Sequence, residues 1–249
     1  MSFVIHHSSF IIILFKLLIP ILFFCSCADA QKLKHNWSKK LSISEPSDIS
    51  LNQAKDGFFI VSDDGILFET NLEGIVKRQS PFRAFDFEAV FADATGIYVI
   101  DERTRNVHSF NPSNLSLKKT VEISYNGGRN KGFESLTWNE AKKVYLAFTE
   151  KDPKWAFELD QNFAVLNKLK VNGLSDISGA AFHKDKLFLL SDEDHAIFRF
   201  NPETYELEKK FKLKVINPEG LTFGPDGSLY VVSDDMGILF RYDSSPLFQ

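Results

Sequence analysis

The sequence predicts an all-β fold: a β-propeller of five blades, with six blades as the alternative count. Three observations predict it. Degenerate repeats of about 43 residues run through the chain, a period that marks propellers and other repeat arrays. Each repeat contains stretches in which apolar and polar residues alternate with the two-residue period of a half-buried strand. Phe is heavily used, at 25 of 249 residues, and aromatic side chains suit a pleated surface.

Residues 1–30 stand apart by composition. Ile11 to Phe24 is apolar apart from Lys16 and Pro20, and no acid precedes Asp29. The run from Leu17 to Phe24 is shorter than the roughly 20 residues a spanning helix needs, and it suits the core of an export signal. Two exits are legible. Ala28-Asp29-Ala30 is an A-x-A cleavage pattern that releases a chain beginning at Gln31. Alternatively, Phe24-Cys25-Ser26-Cys27 is a loose lipobox with Cys27 as the lipidated residue. The expected product is a single domain of residues 31–249, exported to the periplasm or held at the outer membrane or cell surface as a lipoprotein. Both cysteines fall in this first segment, so the domain has no disulfide and depends on its core.

The repeats run from Asp48 to Gln79, Glu88 to Ile123, Glu134 to Val171, Ser178 to Lys214 and Glu219 to Tyr242. Each opens on a short apolar strand, such as Glu88-Ala-Val-Phe91 or Glu219-Gly-Leu-Thr-Phe223. A second, β-rich run follows, such as Phe59-Ile-Val61 or Leu187-Phe-Leu-Leu190. The third strand alternates and ends on Asn or Asp: Asn71, Asn111, Asp160, Asn201 and Asp243. These side chains bond to nearby backbone and start turns. A polar fourth strand completes the first four repeats, as in Leu207-Glu-Lys-Lys-Phe-Lys-Leu213. The fifth repeat lacks one. Trp37-Ser-Lys-Lys-Leu-Ser-Ile43 has the same basic-apolar pattern and is expected to complete the last blade, removing an exposed edge.

Aligned on their strands, the repeats place Asp48, Glu88, Glu134, Ser178 and Glu219 at the entry to the innermost strand. A second position after the second strand holds Asp64, Glu102, Glu150, Glu193 and Asp235. Both positions belong to one propeller face, around the mouth of the central channel. Like charges gathered there repel, which a cation or basic side chains must offset. Calcium, which takes six to eight oxygen ligands in a forgiving geometry, suits such a mouth. The expected ligands are Glu88, Glu134 and Glu219, with Glu102 and Glu150 behind them. Against that, Asp and Ser are ordinary turn formers, and Arg103, Arg105, Lys151 and His195 stand near enough in sequence to pair with the acids.

Phe87-Glu88-Ala89-Val90, Asp101-Glu102-Arg103, Gly132-Phe133-Glu134-Ser135-Leu136, Glu150-Lys151, Ser175 to Ala180 and Pro218-Glu219-Gly220-Leu221 carry a resemblance. In that order and spacing, over residues 45 to 243, they resemble the SdiA-regulated family of exported bacterial propellers, itself distantly similar to NHL repeats. The resemblance implies five blades and calcium at a shared site, without implying an activity. Carried over by position, it favours Glu88, Glu134 and Glu219. Ser178 has no carboxylate, and the first repeat, at Asp48-Ile49-Ser50-Leu51, departs most from the pattern.

The chain has no G-x-S-x-G elbow, P-loop or H-E-x-x-H motif. Gly127-Gly128-Arg129-Asn130-Lys131-Gly132 lacks the Gly-Lys-Ser/Thr ending of a phosphate loop and is expected to link blades two and three. Of the scattered histidines, only His195 falls near the expected mouth. A formal net charge of −4, with no basic run, excludes nucleic acid as the expected partner. The expected role is a calcium-binding scaffold at the cell envelope, meeting an envelope protein or small ligand on one face and a membrane only through a lipid on Cys27. The alternative is a calcium-dependent hydrolase of the lactonase or phosphodiesterase type.

Overall fold

The computed structural model describes residues 30–125 and 132–249. The N-terminal segment with Cys27, and the 127–131 part of the glycine-rich link, lie outside the described residues. Five sheets are arranged as propeller blades, antiparallel except for one added strand. The first holds β3 (Pro46–Leu51), β4 (Gly57–Ser62), β5 (Ile66–Asn71) and β6 (Val76–Arg83). The second holds β7 (Phe87–Ala92), β8 (Ile97–Asp101), β9 (Asn106–Phe110) and β10 (Leu117–Glu122). The third holds β11 (Ser135–Asn139), β12 (Val144–Phe148), β13 (Trp155–Leu159) and β14 (Val165–Lys170). The fourth holds β15 (Gly179–His183), β16 (Lys186–Ser191), β17 (Ala196–Phe200) and β18 (Leu207–Lys212). The fifth has only β19 (Pro218–Phe223), β20 (Leu229–Ser233) and β21 (Ile238–Tyr242) from the end of the chain.

Its outer strand comes from the other end. β2 (His35–Lys40) pairs antiparallel with β21, placing Lys40 opposite Ile238 and Ser38 opposite Phe240. Leu41 and Ile43, just beyond it, are buried against blades one and five. One strand was not foreseen: β1 (Gln31–Lys32) adds to β18 in parallel, giving the fourth blade a fifth strand. Among the described residues, every strand lies between Gln31 and Tyr242.

The core consists of five apolar layers, one between each pair of neighbouring blades. Phe58, Phe87, Phe133, Phe198 and Phe211 are fully buried in them, which is where the phenylalanine content goes. The Asn and Asp residues at the ends of the third strands start turns as their chemistry predicts. Asn71 Oδ1 accepts the N–H of Glu73, Asn111 that of Ser113, Asp160 that of Asn162, Asn201 that of Glu203 and Asp243 that of Ser245. The inner strands crowd at the axis. A Cβ on Gly220 would lie 2.6 Å from Asp48 Cα, so only glycine fits between blades five and one.

Candidate metal centre

The entry residues of the inner strands converge at one end of the channel. Glu88, Glu134, Ser178 and Glu219 line a cavity of about 210 Å³ there. Asp63, Glu150, Asp192 and Asp234, which follow the second strands, line the same cavity. Its wall therefore carries seven carboxylates and one serine, and no basic side chain. Asp48 holds the corresponding place in the first blade but is turned into the wall, where its Oδ2 accepts the Val90 N–H at 2.8 Å.

The second ring needs a correction. At three of the five positions the residue facing the mouth is one place earlier than the sequence alignment put it: Asp63, Asp192 and Asp234, in place of Asp64, Glu193 and Asp235. Each of these repeats carries two acids in succession, so the alignment had a free choice, and a slip of one residue turns a side chain to the other side. Asp64, Glu193 and Asp235 are exposed. Glu193 is bound by Lys151 at 3.1 Å, and Asp235 accepts the Asn217 amide at 2.8 Å.

Glu102 sits at the aligned position yet bonds into the neighbouring blade, accepting the Gly132 N–H at 3.0 Å, and it does not line the cavity. Glu150 does line it, with its charge partly offset by Lys151 at 2.6 Å. His195 is an exposed turn residue whose Nδ1 meets the Val215 carbonyl at 3.0 Å, away from the mouth.

Burial and mutual repulsion raise Glu88, Glu134, Glu219 and Asp234. Desolvation, then Glu134, push Glu88 well above the carboxylate range. Desolvation, then Glu102 and Glu150, do the same to Glu134. Glu219 is pushed up to about 8 by burial and by Asp192 and Asp234, and Asp234 to about 6 by burial and Asp63.

Two further acids escaped the repeat alignment. Asp86 and Asp176 each lie two residues before the inner-strand position, and both are raised, to about 6 and about 7, chiefly by burial. Asp176 is fully buried, bonding the Ser191 hydroxyl and the Asp192 N–H. It does not line the cavity, to which this blade contributes Asp192 beside Ser178. The signal was present as Asp86-Phe87-Glu88 and Asp176-Ile177-Ser178, but the other repeats do not share it.

The far end of the channel has different chemistry. A cavity of about 220 Å³ lies there among Phe91, Phe182, His183 and Phe223. The hydroxyls of Ser50 and Thr137 accept the N–H groups of Ala92 and Phe182 across neighbouring inner strands.

Over residues 31–240 the sequence matches the profile of the SdiA-regulated family. The chain belongs to the SdiA-regulated family. No protein of curated function is similar to it in sequence. Solved structures similar to this SdiA-regulated propeller share its fold at low identity. Glutaminyl cyclase from Myxococcus xanthus has a TM-score of 0.68 at 13 % identity, covering 86 % of this chain and 98 % of that one. A protein of unknown function from Bacteroides caccae has a TM-score of 0.56 at 13 % identity, covering 80 % and 82 %. The β-propeller domain of Cps50 (Swd1) from Myceliophteria thermophila has a TM-score of 0.54 at 8 % identity, covering 84 % and 99 %.

In donor chemistry the mouth suits a hard cation such as the calcium expected from the sequence. All donors are oxygen, the carboxylates outnumber any nearby base, and Asp234 Oδ1 is buried without a partner. Their arrangement is less complete. Among the described residues, no three Asp, Glu, His or Cys side chains converge as a formed metal site.

Proposed function

We propose that this propeller is an exported, calcium-binding interaction module of the cell envelope. Its cation would sit at the acidic mouth and order that face for a protein or small-molecule partner. The supporting observation is a cavity walled by seven carboxylates with no basic side chain among them. Such a wall is poorly tolerated when fully ionised in water-poor surroundings, and a divalent cation is the simplest remedy. Glu88, Glu134 and Glu219 are the inner ligands in this reading, with Glu150 and Asp234 above them. The side chains do not form a finished shell, so binding must draw carboxylates inward and stiffen the mouth. Calcium is a structural ion in this account, and the partner reads the face that it organises.

The test is calorimetric titration of calcium into chelator-stripped residues 31–249, alongside Glu88→Gln/Glu134→Gln. The expected result is binding near one ion per chain, lost in the variant. Absence of binding by a folded protein overturns the calcium reading and leaves a metal-free interaction propeller. Calcium-dependent turnover of lactones or phosphodiesters, abolished by Glu134→Gln, replaces the module with a hydrolase.

A further inference from the structure

The sequence has no basic run, but the fold assembles one. From Gln31 to Ser44 the chain carries Lys32, Lys34, Lys39 and Lys40 and no acid. β1 pairs with β18 in parallel, so Lys32 lies directly beside Lys212, with the chain running on to Lys34 and Lys214. Leu33, Phe211 and Leu213, which alternate with these lysines, are buried, while the four lysines are exposed. Like charges directly opposite each other on a sheet are destabilising, so the arrangement has a cost in the free protein.

Neighbouring basic groups are already engaged. Lys210 is paired with Asp194, and Lys186 and Arg199 share Glu208. Among the described residues, Lys32, Lys34, Lys212 and Lys214 have no ion pair. Lys32 and Lys34 also line a groove of about 620 Å³ with His35 and Asn36. The one acid there, Asp243, has its two oxygens engaged by the Ser245 N–H and hydroxyl.

We infer that this lysine stripe is a docking surface for an anionic phospholipid bilayer. Two features favour a membrane over other polyanions. The stripe begins at Lys32, five residues after Cys27 and eight after the apolar run that ends at Phe24. A fully extended chain spans about 3.3–3.6 Å per residue, so a lipid on Cys27 would hold Lys32 within about 20 Å of a bilayer surface. Clustered lysines beside a membrane attachment are attracted by phosphate headgroups, and one acyl chain needs such a second signal to hold firmly. The stripe thus deepens the envelope reading while standing apart from the acidic mouth.

The test measures partition of residues 31–249 onto vesicles of phosphatidylcholine with about a third phosphatidylglycerol, against pure phosphatidylcholine, in chelator. Expected are binding to the anionic vesicles only and its loss in about 0.5 M salt. Partition should fall about fivefold for each lysine removed, in Lys32→Gln/Lys34→Gln and separately in Lys212→Gln/Lys214→Gln. The control Lys118→Gln/Lys119→Gln removes the same charge from the outer strand of blade two and should leave partition unchanged. No binding, equal binding to neutral vesicles, or an equal effect of the control overturns the proposal. Glu88→Gln/Glu134→Gln should still bind vesicles, so failure of the calcium reading leaves this result distinguishable.

Discussion

The Asp48 carboxylate accepts the backbone N–H of Val90 at 2.8 Å, bolting the inner strand of blade one to that of blade two. Its other oxygen is buried without a partner. Burial raises this acid well above the carboxylate range, with Glu219 adding repulsion. The carboxylate is therefore at once a structural acceptor and a poorly placed charge.

Asp48→Asn keeps the acceptor for Val90 and removes the charge, so it should melt at or above wild type at pH 8. Asp48→Ala orphans the buried Val90 N–H and should cost about 1–3 kcal/mol. In a domain of this size that is roughly 2–4 °C per kcal/mol. Melting curves of both variants check this; a destabilising Asn would mean that the ionised form is held favourably.

Metal-free protein should lose stability as pH rises. Glu219 has an ordinary value of 4.5 and is raised to about 8 in the folded chain. A group raised on folding favours the folded state in its protonated form. That contribution is fully present below about pH 4.5 and is lost as pH climbs through about 8. The melting temperature in chelator should fall between pH 5 and pH 8.5, and Glu219→Gln should flatten the slope. A melting temperature that rises over that window would contradict the buried, repelling mouth.

Calcium should reverse that pH dependence. A cation that binds only the folded, ionised mouth stabilises it in proportion to the logarithm of its concentration. The melting temperature at pH 8 should therefore rise with added calcium in wild type and stay level in Glu88→Gln/Glu134→Gln. Differential scanning calorimetry at several calcium concentrations reads both.

Closure by β2 should matter more than its short length suggests. Removing residues 31–40 leaves β21 as a bare edge, so aggregation on warming is expected, read by light scattering. Leu41→Ala, at a side chain only 5 % exposed, should cost about 2–5 kcal/mol.

Blades three and four share a buried polar bond. Glu158 accepts the Tyr205 hydroxyl at 2.7 Å and the Lys142 ammonium at 2.7 Å. Tyr205→Phe should cost about 1.5–3 kcal/mol, as expected for a hydrogen bond to a charged group, read from the denaturation midpoint.

Much of the fold was legible because its causes are local. Strand alternation, the turn-starting Asn and Asp residues and the missing fourth strand of the last repeat each follow from neighbours in the chain. The inner acids Glu88, Glu134 and Glu219 were legible for the same reason: each stands at the same point of its own repeat. Asp63, Asp192 and Asp234 were misread as Asp64, Glu193 and Asp235, because two adjacent acids look alike until a strand register selects the one that faces inward. Asp86 and Asp176 were passed over because only two repeats carry them, so the repeat logic that found the others had nothing to align.

By itself the sequence determined a propeller of five or six blades, the strands within them, the N-terminal segment expected to close the ring and an acid at the entry of most inner strands. These are consequences of composition and period, which act over a few residues. Only the tertiary structure decided which carboxylates share a cavity, that Glu102 accepts the Gly132 N–H while still acting on Glu134, and that Lys32 stands beside Lys212. Electrostatic energy depends on distance through space, and the ring brings together charges that the chain holds far apart.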